Sequence, residues 1–338
     1  MEYRPLGRTG VQVSKLCLGT MMFGAWGNSD HDDSIRIIHA ALDAGINFVD
    51  TADVYSAGES EEIVGKALKG RRDDVVLATK FFVPMGDDPN QRGGSRRWII
   101  TEVENSLKRL GTDWIDLYQV HRPDPETDVE ETLSALTDLV QQGKVRYIGS
   151  SSYSAGEIVE AQWTAHARNL QRFRTEQPPY SLLVRGIELD VLPTARRHGM
   201  GILTYSPLAG GWLSGGWSVD SSPTSPARQR LVARFDMSLS DNQRKLRAVE
   251  ELAMVADEAG VSLIELAIAF VVNHPAVTSA IVGPRTMEQL DSQLPAAEVT
   301  LDPAILDSID EIVKPGVNLN PADTSYGEQV LKPSLRRR

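Results

Sequence analysis

A single cysteine, Cys17, occurs among 338 residues, so disulfides and cysteine-based metal sites are excluded. It lies in an apolar stretch and reads as a small buried hydrophobe. Long apolar runs are missing too: none approaches the roughly 18 residues that a membrane-spanning helix needs, so no membrane association is expected. Basic residues are outnumbered, 35 against 46 acidic, for a net charge of -11. Such a surface repels nucleic-acid phosphates, and the one tight basic run, Arg336 to Arg338, reads as a frayed, solvated end. Met1 to Gly10 is polar where a secretory signal needs an apolar core, which makes the cytoplasm the expected compartment. Several motifs fail on spacing. Gly65-Lys66 is followed by Ala67 and lacks the Walker glycine, and no Gly-x-Gly-x-x-Gly follows a strand. The six histidines show no paired spacing that would hold a metal. Gly149-Ser-Ser-Ser-Tyr153 lacks the second glycine of a nucleophile elbow.

What is present is a rhythm. Short apolar, β-branched runs alternate with amphipathic helical stretches, the pattern of a parallel sheet with crossover helices. Strands are expected at Leu16 to Gly19, Ile46 to Asp50, Val75 to Lys80, Ile115 to His121, Val145 to Gly149, Thr175 to Gln177, Gly201 to Tyr205 and Ser279 to Gly283. Eight strands close a barrel, and a chain of this length fits one (β/α)8 domain. The helix Asp128 to Gln142 shows Val129, Leu133, Leu136 and Val140 on one face. Thr127 and Glu130 form a capping-box pattern at its start, and Gly143 stands where a left-handed cap ends it. Ahead of the first strand, Tyr3 to Leu6 and Val11 to Val13 flank Gly-Arg-Thr-Gly and suggest a hairpin that plugs the bottom of the barrel. Ala209 to Ser240, rich in Gly, Ser and Pro, is too long for an ordinary connection and reads as a functional loop or lid. No composition break divides the chain. One domain over 1–338 is expected, with barrel and hairpin at about 3–295 and a C-terminal extension at 296–338.

Chemistry in such a barrel sits at the C-terminal ends of the strands, where the βα loops share one mouth. Asp50 ends the second strand and is followed by Tyr55; Lys80 ends the third and His121 the fourth. Each alone has an ordinary structural explanation as a helix cap, a surface lysine or a hydrogen-bonded histidine. Together, four groups that can titrate or donate converge on one rim. A lysine ammonium that stabilises phenolate would make tyrosine a usable proton donor, an aspartate would hold that lysine, and a neutral histidine would orient a carbonyl oxygen.

Asn47-Phe-Val-Asp-Thr-Ala-Asp-Val-Tyr55, Ala78-Thr-Lys80 and Val120-His-Arg-Pro-Asp-Pro125 resemble the signature segments of aldo-keto reductases. Leu18-Gly-Thr-Met21, Gly143-Lys-Val-Arg-Tyr-Ile-Gly149 and Tyr205-Ser-Pro-Leu-Ala-Gly-Gly211 extend the likeness from about residue 3 to 295. The resemblance implies a catalytic tetrad of Asp50, Tyr55, Lys80 and His121, an NADP(H) cofactor and a small-molecule carbonyl substrate. It places Gly19, Thr20 and Met21 at the cofactor, with Ser151 and Gln177 beside the nicotinamide amide and Tyr205 stacked on the ring. Ser152 departs from the family's asparagine. Ser206, Pro207, Leu208 and Gly210 would approach the pyrophosphate. Gly283-Pro-Arg-Thr-Met-Glu-Gln289 resembles the segment that binds the adenosine 2'-phosphate, with Arg285 as anion partner and Gln289 in support. Gln293 stands near the adenine position. Met21 to Asn28, Phe81 to Arg92 and Trp212 to Trp217 would surround the mouth, and Trp26, Phe81 and Phe82 either line an apolar pocket or simply pack. No metal is expected. A second function is open to the same family: regulatory subunits of potassium channels bind the cofactor and sense redox state. Such a protein would call for a docking surface or an extra N-terminal segment, whereas this chain enters its hairpin almost at once.

Overall fold

The computed structural model describes residues 1–218, 220 and 231–324. The strand-helix rhythm resolves into eight parallel strands that close on themselves: β3 (Leu16–Gly19), β4 (Phe48–Asp50), β5 (Val76–Phe81), β6 (Ile115–Val120), β7 (Val145–Ser151), β8 (Thr175–Gln177), β9 (Gly201–Thr204) and β10 (Ser279–Val282). The fold is a (β/α)8 barrel, and β10 pairs with β3 to complete it. Every strand is buried on both faces except at Val76, Asp116, Arg146 and Tyr147, because helices cover the outside and side chains fill the inside.

Inward-facing residues alternate along each strand, and this period of two sorts the interior into layers. Phe48, Ala78 and Leu117 join Cys17, Leu203 and Ile281 in an apolar lower layer. Two residues further along the same strands lie Asp50, Lys80 and Gln119, so the layer above is polar. Register brings these together, with Lys80 opposite Gln119, Gln119 opposite Gly149 and Ser151 opposite Gln177. Gly149 is required here: a Cβ on it would lie 2.2 Å from Thr175 Oγ1 and 3.2 Å from Gln119 Cγ.

The N-terminal hairpin pairs β1 (Tyr3–Pro5) with β2 (Gln12–Ser14) in antiparallel register. Leu6 and Val13 enter the lower apolar layer, so the hairpin plugs the end opposite the polar layer. Gly7, at φ 56°, meets β9 there; a Cβ would sit 2.7 Å from the Gly201 amide nitrogen.

The outer helices follow local signals. α1 (His31–Asp43) starts at Asp30, whose carboxylate accepts from the Asp33 amide at 3.0 Å. α2 (Glu59–Ala67) carries Gly65 and Lys66 on an ordinary helix. α3 (Arg96–Leu110) ends at left-handed Gly111. α4 (Val129–Gln141) matches its expected span within a residue, and Gly143 has φ 76°. Its expected capping box is absent. The Thr127 hydroxyl instead donates to Asp124 at 2.7 Å, and Glu130 turns outward to pair with Arg168 at 2.9 Å. The preceding loop folds on Asp124, which draws Thr127 away from the helix amides. A true capping box opens α5 (Ala155–Arg168), where Ser154 and Glu157 exchange hydrogen bonds.

Of the stretch Ala209 to Ser240, the described ends are packed. Trp212, fully buried, stacks on Trp217 with centroids 4.3 Å apart, and Lys245 lies 4.4 Å above the Trp212 ring. Trp212 is therefore core and not mouth lining; residues 219 and 221–230, like Arg336 to Arg338, lie outside the described residues. After the barrel, the helix Pro303–Ile312 packs on the helix Ser240–Glu258, and Asp323 binds Lys245 at 2.8 Å and Arg234 at 2.9 Å. Among the described residues, no helix is long and apolar enough to cross a membrane.

Candidate active site

The polar layer opens at the C-terminal ends of β4, β5 and β6. Lys80, almost fully buried, forms an ion pair with Asp50 and donates to the Thr51 carbonyl at 2.9 Å and to the Tyr55 hydroxyl at 3.3 Å. Asp50 also accepts from Gln119 at 3.0 Å and from Gln177 at 2.9 Å, while Gln177 donates to Gln119 at 3.2 Å. Gln177, expected beside a nicotinamide amide, thus shares its side-chain nitrogen with Asp50. Gln119 was not singled out by sequence. The available signal was positional: it lies two residues after inward-facing Leu117 and two before His121.

Tyr55 rides on a turn where Ser56, Ala57 and Gly58 all have positive φ, at 50°, 57° and 96°. Two of these are not glycine, a conformation that persists only when neighbours impose it. Ser56 Oγ accepts from the Trp26 amide at 3.1 Å and donates to the Phe23 carbonyl at 3.3 Å, which ties this turn to the loop before α1. That tie brings the half-exposed Trp26 ring to 6.1 Å from Tyr55, at the mouth. His121 meets Tyr55 edge to face at 5.9 Å, and its Nδ1 is buried without a hydrogen-bond partner among the described residues.

Electrostatics divide these groups. Burial drives His121 well below the ordinary imidazole value, with Lys80 and Arg122 adding to the effect, so the ring is neutral. Burial alone would discharge Lys80, yet Asp50 and Tyr55 outweigh it and hold the ammonium above its usual value. For Tyr55 the pull of Lys80 is present but is not the largest influence. Burial raises the phenol above its ordinary value and Asp50 adds to that, more than Lys80 and Arg122 pull it down. The side chain is a protonated phenol at neutral pH.

Phe81 also needs correction. It follows Lys80 on β5, so it points outward, fully buried against Tyr118 at 4.8 Å. It packs between sheet and helices and lines no pocket. Phe82, half-buried at φ 130°, also packs against the main core.

The residues expected to hold a dinucleotide are spread around the same mouth. Gly19 lies against β10, where a Cβ would meet Ile281 at 2.6 Å. Thr20 turns its hydroxyl inward to the Asp50 carbonyl at 3.2 Å and to Ser60 at 2.9 Å, whereas Met21 is exposed. Ser151 Oγ donates to the Gln177 carbonyl at 2.9 Å. Ser152, at φ 58°, lies 3.3 Å from the Tyr205 hydroxyl and accepts from Arg122 at 2.9 Å. Ser206 and Gly210 have positive φ in the segment Tyr205 to Gly210 that leaves β9. Beyond β10, Gly283 is exposed, and a Cβ there would make ordinary contact with the Gly19 carbonyl oxygen at 3.8 Å. The Arg285 amide donates to Gln289 Oε1 at 2.7 Å, and the exposed guanidinium has no ion pair among the described residues. Gln293 is buried, and its Oε1 has no partner among the described residues.

Residues 15–314 match the model of the aldo/keto reductase family. The chain belongs to that family. Among similar proteins, the uncharacterized oxidoreductase YrpG of Bacillus subtilis is 43% identical over 92% of this chain and 96% of its own length. The aldo-keto reductase YhdN of the same organism is 39% identical over 86% of this chain and 87% of its own length. A probable voltage-gated potassium channel subunit beta of Arabidopsis thaliana is 37% identical over 93% and 97%. Aldo-keto reductases draw on nicotinamide dinucleotides.

Proposed function

We propose that the protein reduces an aldehyde or ketone to an alcohol with NADPH, using Tyr55 as general acid. The observation that carries this reading is the Tyr55 hydroxyl 3.3 Å from an ammonium that is itself buried and anchored on Asp50. Bound reduced nicotinamide would supply hydride to the carbonyl carbon. The protein's own work is proton transfer and orientation. Protonated Tyr55 gives its hydroxyl proton to the developing alkoxide, and Lys80 stabilises the phenolate left behind, so the charge difference between states drives the transfer. Neutral His121 has an imidazole donor to offer the carbonyl oxygen, and Trp26 borders the space above Tyr55. The donor set suits such a cofactor: Gln293 Oε1 is a buried acceptor in need of a partner, and Arg285 presents a free fork to an anion.

Steady-state NADPH consumption with a panel of aldehydes tests the reading. Tyr55→Phe should lower turnover by at least about 100-fold with NADPH affinity little changed; near-normal turnover would remove Tyr55 from the role of acid. Arg285→Ala should weaken NADPH binding roughly 10- to 150-fold and NADH hardly at all. An equal loss for both would make Arg285 a support of its loop.

The likeness to a probable potassium channel subunit favours a second reading, a cofactor-binding redox sensor. A sensor would turn over far more slowly on the whole aldehyde panel than a working reductase.

A further inference from the structure

Arg122 stands one residue beyond His121, half-buried at the mouth. One guanidinium nitrogen, Nη1, is committed: it donates to the His121 carbonyl at 2.8 Å and to Ser152 Oγ at 2.9 Å. An arginine carries five N–H donors, so the edge formed by Nε and Nη2 keeps its three. No carboxylate pairs with that edge among the described residues, although the chain has 46 acidic residues to 35 basic ones. Asp124, two residues on, is spent on the Gly94 amide at 2.7 Å and on Thr127, and so does not neutralise Arg122. A partly desolvated cation without a counterion is costly unless something else supplies the anion.

The location narrows what that anion is. Arg122 acts electrostatically on both Tyr55 and His121, pulling each pKa downward, so its charge is felt where a carbonyl oxygen would be protonated. Ser152 also touches Tyr205, which places the guanidinium between the tetrad and the end of β9. A planar edge of parallel N–H donors matches the two oxygens of a carboxylate.

We propose that Arg122 is a specificity-determining residue that binds the carboxylate of the substrate, so that the preferred substrates are aldehydes or ketones carrying an acid group. This rests on the reductase reading above. It also gives Ser152 a purpose: the short hydroxyl, in place of the family's asparagine, holds Arg122 Nη1.

The test compares para-formylbenzoate with its methyl ester, which share one aldehyde and differ in charge. In the wild-type protein with NADPH, kcat/KM should favour the acid. In Arg122→Gln the acid-to-ester ratio of kcat/KM should fall about 10- to 100-fold, and Arg122→Lys, which keeps the charge but not the fork, should fall between. A ratio unchanged in both variants overturns the proposal, as does a weakened NADPH affinity that lowers both substrates equally, since Arg122 would then serve the cofactor. Calorimetric titration of para-toluate, an unreactive carboxylate, into the full chain with oxidised cofactor reads the same contact without turnover. Binding that weakens at least about tenfold in Arg122→Gln supports it, and equal affinity overturns it. If the wild type reduces neither aldehyde, the reductase reading fails and the titration still decides Arg122.

Discussion

Two buried charge clusters lie back to back across β5. Lys80 points into the barrel toward Asp50 and Tyr55, while its neighbour Thr79 points outward and donates to Glu61 at 2.6 Å. Glu61 and Glu102 both grip Arg109, whose stem runs beneath the Tyr55 turn, where a Cβ on Gly58 would lie 2.7 Å from Arg109 Cδ. Asp53 completes this outer group, fully buried, and burial next to Glu61 and Glu102 pushes its carboxyl well above the usual range. Both clusters bury charges that pair. They differ in what is left over. The outer cluster closes on itself between sheet and helices, whereas the inner one presents to the mouth a phenol, an imidazole and the Arg122 guanidinium, which has no ion pair among the described residues. Buried charge therefore marks structure as readily as chemistry, and the groups left available to a ligand separate the two.

Swapping the central cation of each cluster for methionine gives the largest expected effects. Lys80→Met and Arg109→Met should each cost about 3–5 kcal/mol of stability, because each strands buried carboxylates. Only Lys80→Met should also reduce kcat of the folded fraction, by at least about 100-fold. Denaturant melts paired with kinetics on refolded protein check this, and an equal loss of kcat in Arg109→Met would erase the distinction.

Another buried carboxylate, Glu176, sharpens the comparison through pH. It faces the outer layer with two acceptor bonds, from Ser150 at 2.6 Å and the Tyr153 amide at 3.0 Å, yet burial outweighs these and pushes it up to about 8. With the folded value raised, the native state holds a proton that the unfolded chain releases near pH 4 to 5. Stability should therefore decline from that range up to about pH 8, with a slope approaching about 1.4 kcal/mol per pH unit. Glu176→Gln should flatten this decline in melts run from pH 5 to 9, and an unchanged slope would mean the carboxylate is already ionised.

The smallest effect is expected at Asp53. Because its folded carboxyl is raised above the unfolded value, Asp53 costs stability as pH rises, so Asp53→Asn should leave turnover nearly unchanged and stability at pH 7 no lower than in the wild type. Asp50→Asn, three residues earlier, removes the counterion of Lys80 and should lower turnover severely. Matching losses in stability and turnover for the two variants would show that Asp53 serves as a paired anion as Asp50 does.

The four groups of the rim were legible in sequence because each ends or closely follows a strand, and strand ends in a parallel barrel share a mouth by topology. Asp124 shows the limit of such reading: it captured Thr127, and a capping box legible in four residues did not form. Phe81 shows another, since one residue beyond Lys80 on the same strand the side chain points the opposite way.

The alternation of apolar strands with amphipathic helices, the hairpin signal at Gly7 to Gly10 and the order of the tetrad are properties of neighbouring residues, and the sequence by itself determined them. Which inward residues meet is settled only when the sheet closes: register across three strands put Gln119 and Gln177 on Asp50, residues 69 and 127 positions away in the chain. The direction of the Tyr55 pKa was likewise decided by tertiary structure, because burial is summed over every element that surrounds the phenol, and it exceeds the pull of the one lysine that the motif displays.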